Sequence, residues 1–157
     1  MALEVGNKAP DFTLQDGDDN KVSLKDLAGK WVVLFFYPKD NTPGCTKEAC
    51  GFRDQYSAFQ DEDTVVLGVS LNDAKSHTKF STKYDLPFPL LCDLDAEMSK
   101  AYESYGLKKF MGKEYEGIYR QSFIINPEGN LAQIYWKVKP EPHAEQVLND
   151  LKALKAA

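Results

Sequence analysis

Seven uncharged residues, Trp31-Val32-Val33-Leu34-Phe35-Phe36-Tyr37, run into Pro38 and then Asn41-Thr42-Pro43-Gly44-Cys45. Aromatic and β-branched residues without a charge fit a strand covered on both faces. Pro38 ends that strand, and Asn41 to Gly44 reads as a loop leading into a helix. Thr42 is a good N-cap and Pro43 suits the first helical position. Cys45 then falls in the first turn, where unpaired backbone N–H groups and the helix dipole favour an anion. A thiolate is such an anion, and cysteines at helix N-termini are the reactive ones.

Cys50 follows on the same helix. Residues five apart on a regular helix are displaced by about 7.5 Å along the axis and about 140° around it, so their Cα atoms lie about 8.6 Å apart. A disulfide needs Cα atoms within about 7 Å. Cys45 and Cys50 therefore cannot be bonded while the helix is intact, and any disulfide between them requires its first turns to unwind. The competing readings are two inert buried thiols, which the coincidence of cap, proline, glycine and first-turn cysteine opposes, and a metal pair. Metal-binding cysteines are commonly two to four apart with a second pair elsewhere, and the chain has no second pair.

Around this stretch the pattern alternates strands and helices. Phe12-Thr13-Leu14 and Val22-Ser23-Leu24 flank the turn signal Asp16 to Asn20 and predict a hairpin. Ser23 to Asp26 can cap a short helical turn. A helix is predicted from Pro43 to Phe59, with Ala49, Phe52, Tyr56 and Phe59 on its buried face. Strands follow at 64–71 and 90–92, with helices at about 73–84 and 96–105 and a long loop at 108–119. Strands at 122–125 and 131–136 flank the turn Asn126 to Asn130, and an amphipathic helix spans 143–154. This order predicts an α/β fold, a mixed central sheet flanked by helices with an N-terminal β-hairpin extension, residues 1–157 forming one domain. In such sheets, sites lie beyond the carboxyl ends of the parallel strands, where the loop 38–45 falls.

A net charge of −5 argues against nucleic-acid binding. The start of the chain lacks a basic flank followed by an apolar stretch, and no run of about 18 apolar residues occurs, so neither secretion nor a membrane helix is expected. Three cysteines without a secretory signal fit a reducing, cytoplasmic setting. His77 and His143 stand apart on separate helices and are expected at the surface.

The segment Phe36-Tyr37-Pro38-Lys39-Asp40-x-Thr42-Pro43-Gly44-Cys45-Thr46-x-Glu48-x-Cys50-x-Phe52-Arg53-Asp54 resembles the peroxiredoxins, and within them the bacterioferritin comigratory protein or peroxiredoxin Q subfamily. The similarity runs from Ala9-Pro10-Asp11-Phe12 through Arg120-x-Ser122-Phe123-Ile124-Ile125 to the last helix. It implies a thioredoxin-like fold and a peroxidase that reduces hydrogen peroxide and organic hydroperoxides. Cys45 then corresponds to the peroxidatic cysteine and Cys50 to the resolving one, joined in a redox-active disulfide. Thr42 and Arg120 correspond to supporting polar residues, Pro38 to the proline that shields the pocket, with Gly44 beside it. The resemblance implies no metal or other cofactor, a thioredoxin-like dithiol as reductant and, without a long C-terminal arm, a monomer. Some members carry the resolving cysteine on the next helix; here residues 73–84 contain none. Cys92 departs from the expected pattern and reads as a buried bystander. The other arginine, Arg53, is expected to pair with surface acids. Competing functions are a disulfide oxidoreductase, which would want Cys-x-x-Cys, and a redox-switched binding module or holdase without turnover.

Overall fold

The computed structural model describes residues 3–157. Its central sheet has five strands in the order β5-β4-β3-β8-β9. Here β3 is Trp31–Phe36, β4 Thr64–Ser70, β5 Leu90–Cys92, β8 Gln121–Ile125 and β9 Leu131–Tyr135. β3, β4 and β5 are parallel, while β8 pairs antiparallel with both β3 and β9. The uncharged run thus occupies the middle of the sheet, as a strand apolar on both faces must. Two further hairpins, β1 (Thr13–Gln15) with β2 (Lys21–Ser23) and β6 (Tyr105–Phe110) with β7 (Lys113–Ile118), stand outside it.

Strand alternation divides the core. Val33, Phe35 and Tyr37 face α1 (Pro43–Asp54), α2 (Tyr56–Asp61), α3 (Ala74–Tyr84) and α5 (His143–Ala156), meeting Phe52, Phe59, Phe80 and Val147 there. Val32, Leu34 and Phe36 face the N-terminal segment and α4 (Glu97–Ala101), packing with Phe12, Met98 and Tyr102. Phe52 stacks on Phe35 with ring centroids 4.6 Å apart. Full burial of such a side chain is worth roughly 1.5–3 kcal/mol, and the aromatic pairing about 0.5–1.5 kcal/mol more. This contact secures the C-terminal half of α1 to the sheet. Close packing also explains Gly68 of β4, because a Cβ there would lie 2.8 Å from Phe35 Cζ and from Leu90 Cδ2.

Three expectations change. The predicted helix 43–59 is two helices that break at Gln55 (φ −97°, ψ 1°). The helix expected over 96–105 shrinks to α4, while Tyr105 and Gly106 open β6. The loop expected at 108–119 is the β6–β7 hairpin. Its turn residues Met111 (φ 51°) and Gly112 (φ 79°) both adopt the left-handed conformation of a two-residue hairpin turn. The segment lacks a strand signature because it is solvated along much of its length, so no apolar alternation is required of it.

Candidate active site

The chain leaves β3 at Phe36, crosses Tyr37 to Thr42, and enters α1 at Pro43. Thr42 has the extended backbone of an N-cap, but its side chain makes no cap hydrogen bond. Its hydroxyl instead donates to the Lys39 carbonyl at 2.8 Å, closing the loop on itself. This corrects the expected capping role of its hydroxyl. The first-turn N–H groups of α1, at Gly44 and Cys45, have no intrahelical carbonyl to bond. Cys45 is fully buried; Pro38, Thr42, Gly44 and Cys50 are half-buried.

Arg120 arrives from the residue before β8. Its Nη2 donates to Cys45 Sγ at 3.4 Å, and its Nη1 donates to Glu48 Oε1 at 2.8 Å. Cys45 and Glu48 are three apart on α1 and so share one face. The guanidinium spans that face and binds both. Gly44 permits the approach, since a Cβ there would lie 3.1 Å from Nη2. Burial pushes the Glu48 carboxyl up to about 7, and the Arg120 charge holds it from rising further. The second Glu48 oxygen, Oε2, is buried without a hydrogen-bond partner. Lys108 lies nearby, its amine donating to the Ile118 carbonyl at 2.9 Å, and its pKa is lowered by burial and by the Arg120 charge.

All three cysteines are free thiols. Cys45 and Cys50 both lie within the unbroken helix α1. Burial pushes the Cys50 thiol up, with Arg53 opposing. Cys92 ends β5, is buried, and is pushed up to about 11 by burial and by nearby carboxylates, Asp16 first. Arg53 pairs with exposed Asp54 at 3.0 Å, as expected, and also donates to the Tyr84 carbonyl at 2.8 Å. Among the described residues no group of three or more His, Cys, Asp or Glu side chains is arranged to hold a metal ion. No helix among them is long and apolar enough to cross a membrane.

Residues 5–134 match the AhpC/TSA family. The chain belongs to the AhpC/TSA family. Within this family it falls with the peroxiredoxins of the Bcp and PrxQ group. It is 46% identical to peroxiredoxin Bcp of Bacillus subtilis over 152 residues, 97% of each chain. It is 40% identical to peroxiredoxin Bcp of Escherichia coli over 150 residues, 96% of each. The crystal structure of a mutant PrxQ from Xylella fastidiosa superposes with a TM-score of 0.93 at 35% identity, covering 100% of this chain and 99% of that one. The bacterioferritin comigratory protein of Xanthomonas campestris, studied for its alkyl peroxide reduction activity, gives 0.90 at 37% identity over 98% and 96%. The thioredoxin-like architecture of this AhpC/TSA protein is therefore the one the resemblance implied.

The structure corrects the expectation for both histidines, which are buried rather than exposed. His77 lies three residues before Phe80 and shares the inner face of α3. His143 lies four before Val147 on α5, and its Nε2 sits 2.7 Å from Ser122 Oγ. Burial pushes the His143 imidazole down to about 4. Helical spacing carried this signal in both cases. No role was assigned from the sequence to Glu48, although its position three residues after Cys45 marks the shared face.

Proposed function

We propose that this AhpC/TSA protein is a thiol peroxidase that reduces hydrogen peroxide and organic hydroperoxides through Cys45. The contact of Arg120 Nη2 with Cys45 Sγ, at the start of α1, carries this reading. A thiolate there attacks one peroxide oxygen; the S–O bond forms, the O–O bond breaks, and the leaving oxygen takes a proton to depart as water or an alcohol. Preorganised donors stabilise charge developing on the oxygens, and Arg120 with the free first-turn N–H groups supplies them. Cys45 becomes a sulfenic acid.

Cys50 then resolves it. Its sulfur bonds to Cys45 Sγ, and the sulfenic hydroxyl leaves as water with the Cys50 proton. A thioredoxin-like dithiol returns both cysteines to thiols by two exchange steps and is itself oxidised to a disulfide. No cofactor enters this chemistry. Residues 1–157 act in this proposal as one cytoplasmic domain and as a monomer. Peroxide consumption with thioredoxin and its reductase tests it: many turnovers per chain support the peroxidase, and one equivalent consumed and no more supports a redox-switched binding module instead.

Helix geometry demands that α1 open between the two thiols before they can bond. Phe52 anchors the far end on Phe35, so opening is expected to stop there. Gly51 sits just before that anchor, and a Cβ on it would meet Ala144 Cβ at 3.4 Å, an ordinary contact. Gly51→Ala should therefore be accommodated and strengthen the helix by up to about 1 kcal/mol. The expected result is slower disulfide formation, by up to about fivefold at RT of roughly 0.6 kcal/mol, and more sulfinic acid at high peroxide. Intact-mass analysis after a peroxide pulse reads both. Amide exchange should rise across residues 45–51 when the wild type is oxidised; unchanged protection there would overturn the opening.

Cys92→Ala is expected to retain full turnover. Its sulfur is buried at the end of β5, and a thiol pushed up to about 11 is protonated at neutral pH. Loss of the intramolecular disulfide in this variant would reassign the resolving residue.

A further inference from the structure

Behind the loop that leads into α1 lies a buried polar cluster that the proposed chemistry does not use. Asp40 is in that loop, yet its side chain is 4% exposed and His77 is 0% exposed. Asp40 Oδ1 accepts the Tyr37 hydroxyl at 2.6 Å, and Oδ2 accepts the Ser76 hydroxyl at 2.7 Å. His77 Nδ1 lies 2.8 Å from the same Oδ2, and His77 Nε2 lies 2.9 Å from the Leu91 carbonyl oxygen. A carbonyl can only accept, so Nε2 carries a hydrogen. One more proton must lie between Nδ1 and Oδ2, or two lone pairs would face each other. Asp40 N–H donates to Asn72 Oδ1 at 3.0 Å.

These bonds fasten one loop residue to α3 directly, through Ser76 and His77, and to β5 by way of the His77 bond to the Leu91 carbonyl, while Tyr37, the first residue after β3, holds it from the start of the same loop. The next residue, Asn41, has φ 59°, and its side-chain oxygen accepts from the Tyr84 hydroxyl at 3.1 Å. Pro38, which the resemblance makes the proline shielding the pocket, and Thr42, which it makes a supporting polar residue, flank this fastened pair. A buried carboxylate is costly unless its bonds are satisfied. A fold that needed the loop only to connect β3 with α1 would gain nothing from burying one.

We infer that His77 is a positioning residue for peroxide reduction: by holding Asp40 it fixes the Pro38–Thr42 backbone that borders Cys45. This rests on the peroxidase reading. None of the hydrogen bonds of His77 or Asp40 reaches Cys45 or Arg120, so the effect expected is on the pocket's shape and not on the thiolate's own nucleophilicity.

The test compares two rates on the reduced protein, each by stopped flow or quench: reaction with hydrogen peroxide, and alkylation by iodoacetamide, which needs the thiolate but not the peroxide pocket. His77→Leu is expected to slow peroxide reaction about tenfold, a fraction of the roughly 100-fold that a 1 Å misplacement can cost, with alkylation within twofold of wild type. Asp40→Leu should behave alike and carries the test should His77→Leu fail to fold. Asp40→Asn should restore the wild-type peroxide rate, because its amide can donate to a bare Nδ1 while its oxygen accepts from Tyr37. A peroxide rate within twofold of wild type in Asp40→Leu overturns the inference. So does a parallel fall in alkylation, which marks a change at the thiolate itself. A wild-type protein that leaves peroxide unconsumed fails the peroxidase reading itself, whereas a normal wild-type rate with unaffected variants fails only this inference.

Discussion

Cys45→Ser should leave no measurable peroxide reduction at any pH at which the protein is folded. The hydroxyl of serine is a weak nucleophile without a base bonded to it, and the side chain that hydrogen-bonds Cys45 is a guanidinium, which cannot take its proton. The substitution is nearly isosteric in a fully buried site, so the fold should survive and the loss should be chemical. Cys50→Ser separates the two steps. That variant should consume about one equivalent of peroxide, leave Cys45 as a trappable sulfenic acid, and fail to turn over with a dithiol protein that recycles only disulfides. A dimedone-type adduct on Cys45, seen by mass spectrometry in Cys50→Ser and absent from Cys45→Ser, is the expected signature. Continued turnover in Cys45→Ser would remove Cys45 from the centre of the chemistry and transfer the question to Cys50.

The legible parts of the chain were those where one residue type answers one physical demand. An uncharged β3 had to be central, and Pro43 with Thr42 had to start a helix, so Cys45 had to fall in its first turn. The order of strands and helices then left little freedom in the sheet. What escaped was decided by tertiary context. The hairpin β6–β7 carries no apolar alternation because it has little core to face. Thr42 is a good cap by type, yet its hydroxyl finds the Lys39 carbonyl closer to hand. His77 reads as a surface residue because it stands apart on its own helix from any cluster of ligating side chains, while its spacing from Phe80 puts it inside. Its partner Asp40 lies 37 positions away in the chain, a pairing no local pattern encodes. Arg120 is marked by the family resemblance, but the bridge it makes to Glu48 belongs to the fold alone.

That bridge sets the outcome expected of Arg120→Ala. Removing the guanidinium takes away the donor at 3.4 Å from Cys45 Sγ and the partner at 2.8 Å from Glu48 Oε1. The first loss is kinetic: the second-order rate with peroxide should fall about 100-fold, the scale for deleting one preorganised charge-stabilising donor. The second loss is thermodynamic and depends on pH. In the wild type the Glu48 carboxyl is raised from 4.5 to about 7 by burial, against the pull of Arg120. A raised carboxyl contributes stability that is fully present below its unfolded value near 4.5 and lost as pH climbs through about 7. Without Arg120 the pull downward is gone, the folded value moves higher still, and Glu48 stays protonated to higher pH. The wild-type decline from this group ends near 7, while that of the variant continues, so the stability deficit of Arg120→Ala should be modest at pH 5–6 and grow above about pH 7. Denaturant unfolding at pH 6 and pH 8 reads this directly. Measured against Glu48→Gln alone, the double variant Arg120→Ala with Glu48→Gln has no titrating carboxyl on either side of the comparison, so its deficit should be flat in pH while its peroxide rate stays low. A deficit that stays flat from pH 6 to pH 8 would mean that Glu48 is not governed by Arg120. A peroxide rate unchanged in Arg120→Ala would mean that the guanidinium holds Glu48 in the fold and does nothing for the thiolate beside it.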